Sequence, residues 1–357
     1  MKRLVLGISI LTLITLACNF GVVLGPEETL TPSPAPTDAA EPPTPASSTG
    51  ASEHRCGDGV CDGPETTENC PEDCAAEGAE PRPTPADAGD AARPGEESGT
   101  FWVTNPTSGL ELYTIIMRPA DWDGEALPTL VIIPGGTDSG SAISEGEIAQ
   151  MALDRDFAVV TFDAEGRGRS GGEESYSGFT QQDGLATVIA FAAERPAVDA
   201  ERMGMISFSY GVTLASGVLA RYPELPIRFY IDWEGPADRN DTTVGCKPSP
   251  KFDWPACDDD EAWAEREALT FIAQIQVPYQ RVQMANDHVQ PDVSHAVHMV
   301  NAAVEGSAPW VRLNDYEPNE TYEPDAPPTM FPNRSEISLD ERLLNYAEEM
   351  FEIVEAG

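Results

Sequence analysis

From residue 100 to residue 357 the sequence predicts an α/β domain, a mostly parallel β-sheet flanked by helices. Three observations carry that prediction. Short, almost wholly apolar runs such as LPTLVII, FAVVTF and RMGMISF alternate with helical patterns, as expected for strands covered on both faces. Two of these runs end in glycine-rich turns, PGG and DAEGRGRSGG. The segments between them step by three and four residues, the spacing of an amphipathic helix.

Taken in order, LELYTIIMRP reads as an early strand and LPTLVIIPGG as a buried strand ending in a glycine loop. FAVVTFDAEGRGRSGG is the next strand with its turn, and QDGLATVIAFAAER has helical spacing. RMGMISFSYG is a strand, followed by the helix VTLASGVLARYP, which proline ends. IRFYIDWEG and IQVPYQRVQMAND are further strands, separated by an insertion that holds Cys246 and Cys257. SHAVHMVNAAVEG is a helix and WVRLND the last strand. In SLDERLLNYAEEMFEIV, Leu339, Leu343, Tyr346 and Met350 share one stripe, with Ser338 and Glu341 as a capping box.

The chain ahead of this domain has a different texture. Lys2 and Arg3 precede the apolar run Leu4–Ala17, a targeting pattern within residues 1–25. It resembles a bacterial lipoprotein signal, which would make Cys18 the lipidated N-terminus; an uncleaved anchor and a cleaved secretion signal are the alternatives. Each puts the remainder outside the cytoplasm, at the cell surface or in the periplasm. Residues 26–55 and 75–99, rich in Pro, Thr, Ser and Ala, read as disordered linkers. Between them, residues 56–74 (CGDGVCDGPETTENCPEDC) hold Cys56, Cys61, Cys70 and Cys74 with too little apolar surface for a core. Two disulfides would have to hold this segment, which resembles a short Cys-rich module of exported microbial proteins. Asp58, Asp62, Glu65 and Asp73 could add calcium ligands there; a knot of disulfides alone is the plainer alternative. Lipidation of Cys18 accounts for the odd one among seven cysteines, which leaves Cys246 and Cys257 to pair.

A formal charge of −40 excludes nucleic acid as a partner, whose phosphates need a basic surface, and excludes adhesion to anionic headgroups. Membrane contact then rests on the N-terminal anchor alone.

The chemistry centres on Ser207-Phe208-Ser209-Tyr210-Gly211, between a strand and a helix. A nucleophile elbow has this order, with small residues flanking a serine on a strained turn. Ser207 replaces the first glycine of G-x-S-x-G. Alone, the pentapeptide equally describes a structural turn that contains a serine. Together with IIPGG (132–136), DAEGRGRSGG (163–172) and VQMANDHVQP (282–291), it resembles the α/β-hydrolase superfamily over roughly residues 105–315. The dienelactone-hydrolase and prolyl-oligopeptidase-like branches are the most similar. The resemblance implies the α/β-hydrolase fold, a nucleophile at Ser209, oxyanion donors at the backbone N–H of Gly136 and Tyr210, and the acid at Asp287.

The sequence departs from that family after the last strand, where the catalytic histidine is expected. WVRLNDYEPNETYEPDAPP contains none. His54 lies in the Cys-rich arm, His295 and His298 in the helix SHAVHMV, and His288 in a loop on the face where the site forms. Three arrangements stay open. His288 could be the base with Asp232 or Glu234 as its acid; His295 could reach back from its helix with Asp287 as acid; or no base exists. Asp287 and His288 are sequence neighbours whose side chains usually diverge. The first two give an exported serine hydrolase, needing no cofactor, that cleaves ester or short-peptide bonds of a small molecule or peptide. The third gives a cell-surface binding protein on a hydrolase scaffold. The insertion CKPSPKFDWPAC would lie over the pocket, with Trp233, Trp254 and Trp263 lining a cleft or forming its small core.

Overall fold

A computed structural model describes residues 98–356. The expected signal, the linkers up to residue 97 and the Cys-rich segment with Cys18, Cys56, Cys61, Cys70 and Cys74 lie outside these residues. Eight strands form one sheet in the order β1-β2-β4-β3-β5-β6-β7-β8. They are β1 (Gly99–Thr104), β2 (Glu111–Met117), β3 (Leu127–Ile133), β4 (Ala158–Phe162), β5 (Val198–Phe208), β6 (Ile227–Trp233), β7 (Tyr279–Val282) and β8 (Val311–Leu313). The contacts of β2 with β1 and β4 are antiparallel, and every other pairing is parallel.

The central strands are apolar on both faces because both faces are covered. Val131, Ile133, Met203 and Met205 pack under α3 (Phe179–Ala193), α4 (Gly211–Arg221) and α8 (Ser294–Glu305). Leu130, Ile132 and Ile206, one residue out of phase, point to the other side, where α2 (Glu147–Leu153) and α9 (Leu339–Ala356) close the core. On α9 the stripe Leu343, Tyr346, Ala347 and Met350 is buried, and Ser338 caps the first turn by accepting from the Glu341 N–H at 3.1 Å.

The elements outside the sequence expectation are an antiparallel strand, β1, a one-turn helix α1 (Ser141–Ser144) with α2 after it, and three short helices in the insertion. Those three are α5 (Arg239–Thr242), α6 (Asp260–Ala264) and α7 (Ala268–Ile272). None of the five helices exceeds seven residues, too short to show a helical period. β1 buries only Phe101 and Val103, alternating with exposed positions at the sheet edge.

Candidate active site

The residues of interest gather at the carboxyl ends of β5, β6 and β7. The chain leaves β5 through Ser209, whose φ of +48° is a left-handed conformation that an L-residue adopts at a cost of order 1–3 kcal/mol. Its N–H donates to the Trp233 carbonyl at 2.8 Å, so the strained turn is fastened to the end of β6. Two glycines allow the close approach. A side chain at Gly211 would stand 2.5 Å from the Pro134 carbonyl oxygen, and one at Gly135 would touch Phe208 and Ser209 at 3.1 Å. Ser207 needs no glycine, because its buried hydroxyl sits 2.6 Å from the Tyr230 hydroxyl.

The Ser209 Oγ lies 2.8 Å from Nε2 of His288, and Nδ1 of His288 lies 2.8 Å from Oε2 of Glu234. Because the Glu234 carboxylate only accepts, the neutral imidazole carries its hydrogen on Nδ1 and offers its Nε2 lone pair to the serine. Glu234 is 2% exposed and also departs from ordinary backbone, with φ +49°. Its other acceptor sites are filled by the N–H groups of Met284 (2.9 Å) and His288 (3.2 Å) and by Nε2 of Gln283 (3.3 Å). A buried carboxylate with this many donors is held in one orientation.

The remaining candidates are engaged elsewhere. Asp287, expected as the acid, does not hold the His288 imidazole: its Oδ1 is 3.6 Å from Nδ1 of His288, beyond hydrogen bonding. Its carboxylate accepts instead from the N–H groups of Val289 and Gln290 (2.8 and 2.7 Å), from Gln283 (3.0 Å) and from Nε2 of His295 (3.1 Å). Burial opposes its charge, but the bonds from His295, Gln290 and Gln283 outweigh that and hold the carboxyl well below the usual carboxylate range. Asp287 thus shapes the loop that presents His288. His295 is buried, its Nε2 on Asp287 and its Nδ1 facing the Gly235 carbonyl and Arg281, with neither nitrogen on Ser209. Asp232 is fully buried in an ion pair with Arg281 and accepts from the Tyr279 hydroxyl at 3.0 Å. Of the open arrangements, the one in which His288 takes its acid from beyond β6 is the one the side chains form, with Glu234 rather than Asp232.

The missing histidine after β8 has a structural counterpart. Asn314 stands there with φ +50°, and its amide brackets the Gln283 backbone, accepting from its N–H at 2.9 Å and donating to its carbonyl at 3.0 Å. Phe331 then pairs with the same segment, accepting from the Ala285 N–H at 2.7 Å. The segment that follows β8 braces the loop that carries the imidazole.

For the oxyanion, Tyr210 opens α4 and its N–H has no backbone partner among the described residues; Gly136 follows the β3 strand with φ +55°. The Tyr210 phenol, pushed up by burial, donates to the Tyr176 carbonyl at 2.7 Å. Above it the insertion is closed by a Cys246–Cys257 disulfide. Trp254 packs on Tyr176, Tyr210 and Phe252 with ring centroids 4.7 to 5.0 Å apart, Trp263 is core, and Trp233 stacks on His288. Glu234, Asp287 and His288 place potential ligand atoms within 4.8 Å of one another, but the Glu234–His288 bond and the bonds to Ser209, Gln283 and His295 already account for that closeness.

The family model of the X-Pro dipeptidyl-peptidases (S15 family) matches residues 108–243, which include Ser209 and Glu234 and stop short of His288. Among solved structures the fold is similar to Porphyromonas gingivalis dipeptidyl peptidase 4, at 18% identity and TM-score 0.52, over 73% of this chain and 36% of that one. It is also similar to 2,6-dihydroxy-pseudo-oxynicotine hydrolase (16% identity, TM-score 0.51, 73% and 69% covered) and to DcsB (12% identity, TM-score 0.51, 73% and 100% covered). This chain therefore spans about a third of the length of the dipeptidyl peptidase it resembles. No curated protein matches it in sequence. The architecture is the α/β-hydrolase fold.

Proposed function

We propose that the protein is an exported serine hydrolase that cleaves ester or short-peptide bonds through an acyl-enzyme on Ser209. The observation that carries this reading is the unbroken hydrogen-bonded series Glu234–His288–Ser209 at 2.8 Å per step, set on a strained strand-to-helix turn. In this mechanism Nε2 of His288 takes the hydroxyl proton as Oγ attacks the substrate carbonyl. The N–H groups of Tyr210 and Gly136 receive the developing oxyanion, a contribution worth about 3–4 kcal/mol per donor in comparable sites. His288 then protonates the leaving alcohol or amine, and a water molecule repeats the sequence to release the acid. Glu234 orients the ring through Nδ1 and stabilises the imidazolium.

A scaffold without a base was the reading motivated by the empty position after β8. His288 answers that motive from a different loop. The similarity to S15 peptidases favours acyl transfer to water but covers only the nucleophile and acid half of the site. On sequence grounds the enzyme acts outside the cytoplasm, tethered through lipidated Cys18. A fluorophosphonate probe tests the catalytic reading: the folded wild-type chain is expected to be labelled at Ser209, and Ser209→Ala and His288→Ala are expected to abolish labelling. Undiminished labelling of His288→Ala would remove the imidazole from the mechanism.

A further inference from the structure

Trp233 touches the site at three points. Its carbonyl holds the Ser209 N–H, its own peptide leads into Glu234, and its indole lies nearly parallel to the His288 ring, centroids 4.7 Å apart and planes 21° from each other. Phe208 supports the indole edge-on at 5.8 Å. The imidazole is one-third exposed, so the stack is not simply a consequence of core packing.

We propose that Trp233 is a positioning residue whose indole face holds the His288 ring between Glu234 and Ser209 and favours its protonated form. This rests on the catalytic reading above for its use in turnover, but not for its test. The charged groups facing the imidazole among the described residues are Glu234, from the end of β6, and Asp287, from its own loop; the indole supplies an uncharged face. Two opposing effects act there. Covering a ring with an apolar group disfavours charge by desolvation, while the negative face of an indole attracts a cation. Water solvates an imidazolium chiefly at its N–H edges, and here both edges already face protein partners, Glu234 and Ser209. Little hydration is lost at the face, so the attraction of the indole for the imidazolium prevails over desolvation.

The experiment is an NMR titration of the histidine ring protons in the whole domain, with the His288 signal assigned by its loss in His288→Ala. Trp233→Leu, which keeps apolar cover but removes the aromatic face, is expected to lower the His288 midpoint by about half a pH unit to one unit. Trp233→Phe is expected to lower it by less, and the acid limb of kcat/KM should move by the same amount in each variant. A midpoint that is unchanged, or that rises as desolvation alone would require, overturns the proposal. Should Trp233→Leu fail to fold, Trp233→Phe decides by the same sign. Because the midpoint is read without turnover, a wild-type chain that hydrolyses nothing would defeat the catalytic reading and leave this comparison intact.

Discussion

Replacing Glu234 by glutamine separates the two carboxylates that border His288. The variant is nearly isosteric, and Glu234 is buried, so the change falls on charge and hydrogen bonding. Its Oε2 receives Nδ1–H of His288 at 2.8 Å and the His288 N–H at 3.2 Å, while Oε1 receives Met284 and Gln283. An amide has one accepting end. If it faces His288, the NH2 group is driven against the Met284 and Gln283 donors and the imidazolium loses its counter-charge. If it is turned, the imidazole must change tautomer and present a hydrogen to Ser209. Either outcome is expected to lower kcat by about 10³- to 10⁴-fold, equivalent to roughly 4–5.5 kcal/mol in the barrier. Asp287→Asn is the control. At 3.6 Å its carboxylate makes no hydrogen bond to the ring, so kcat is expected to fall less than about tenfold, with a stability loss of about 1–3 kcal/mol from the disturbed His295 and Gln283 contacts. The assay is the rate of fluorophosphonate labelling together with turnover of short-chain p-nitrophenyl esters. An Asp287→Asn variant that remains folded yet loses as much as Glu234→Gln would refute the assignment of the acid.

Two further outcomes follow from the same geometry. Because Asp287 is held below the usual carboxylate range, its contribution to stability is complete above its unfolded value of about 3.9 and is lost as pH falls through its folded value. The gap in unfolding free energy between wild type and Asp287→Asn should therefore narrow from pH 5 towards pH 2, and a gap constant across that range would contradict it. The Cys246–Cys257 bridge closes a short loop, with a sequence separation of 11, worth about 3 kcal/mol in a chain-entropy account. A Cys246→Ser/Cys257→Ser variant should melt about 5–10 °C lower by calorimetry, and an unchanged melting temperature would show that the insertion does not unfold with the domain.

The strands were legible because parallel strands covered on both faces read as uninterrupted apolar runs, and α4, α8 and α9 because each is long enough to show a period, whereas α3 is buried on nearly every side and shows almost none. β1 was not, since only Phe101 and Val103 of its six residues are buried. Ser209 could be found because strand, turn and helix are contiguous in the chain. His288 could be found because it is the one histidine in a loop on that face among the described residues. The proposed acid was harder: Asp232, Glu234 and Asp287 all lie at neighbouring strand ends, and what separates them is non-local. Asp232 is withdrawn by an arginine on the adjacent strand, Asp287 by a histidine from α8, and Glu234 is turned towards the site by a positive φ that no sequence pattern announces for glutamate.

The Asp232–Arg281 pair also decides how the sheet is assembled. The two residues are direct partners across β6 and β7. A slip of one residue between these strands would turn one charge to the opposite face of the sheet and strand both in an apolar interior, at a cost of several kcal/mol. The same alignment sets the Glu234 N–H on the Val282 carbonyl and so fixes where the two loops emerge relative to each other. A misregistered chain is therefore penalised as a folding error, and a chain that reaches the native sheet arrives with Glu234 and His288 already opposed.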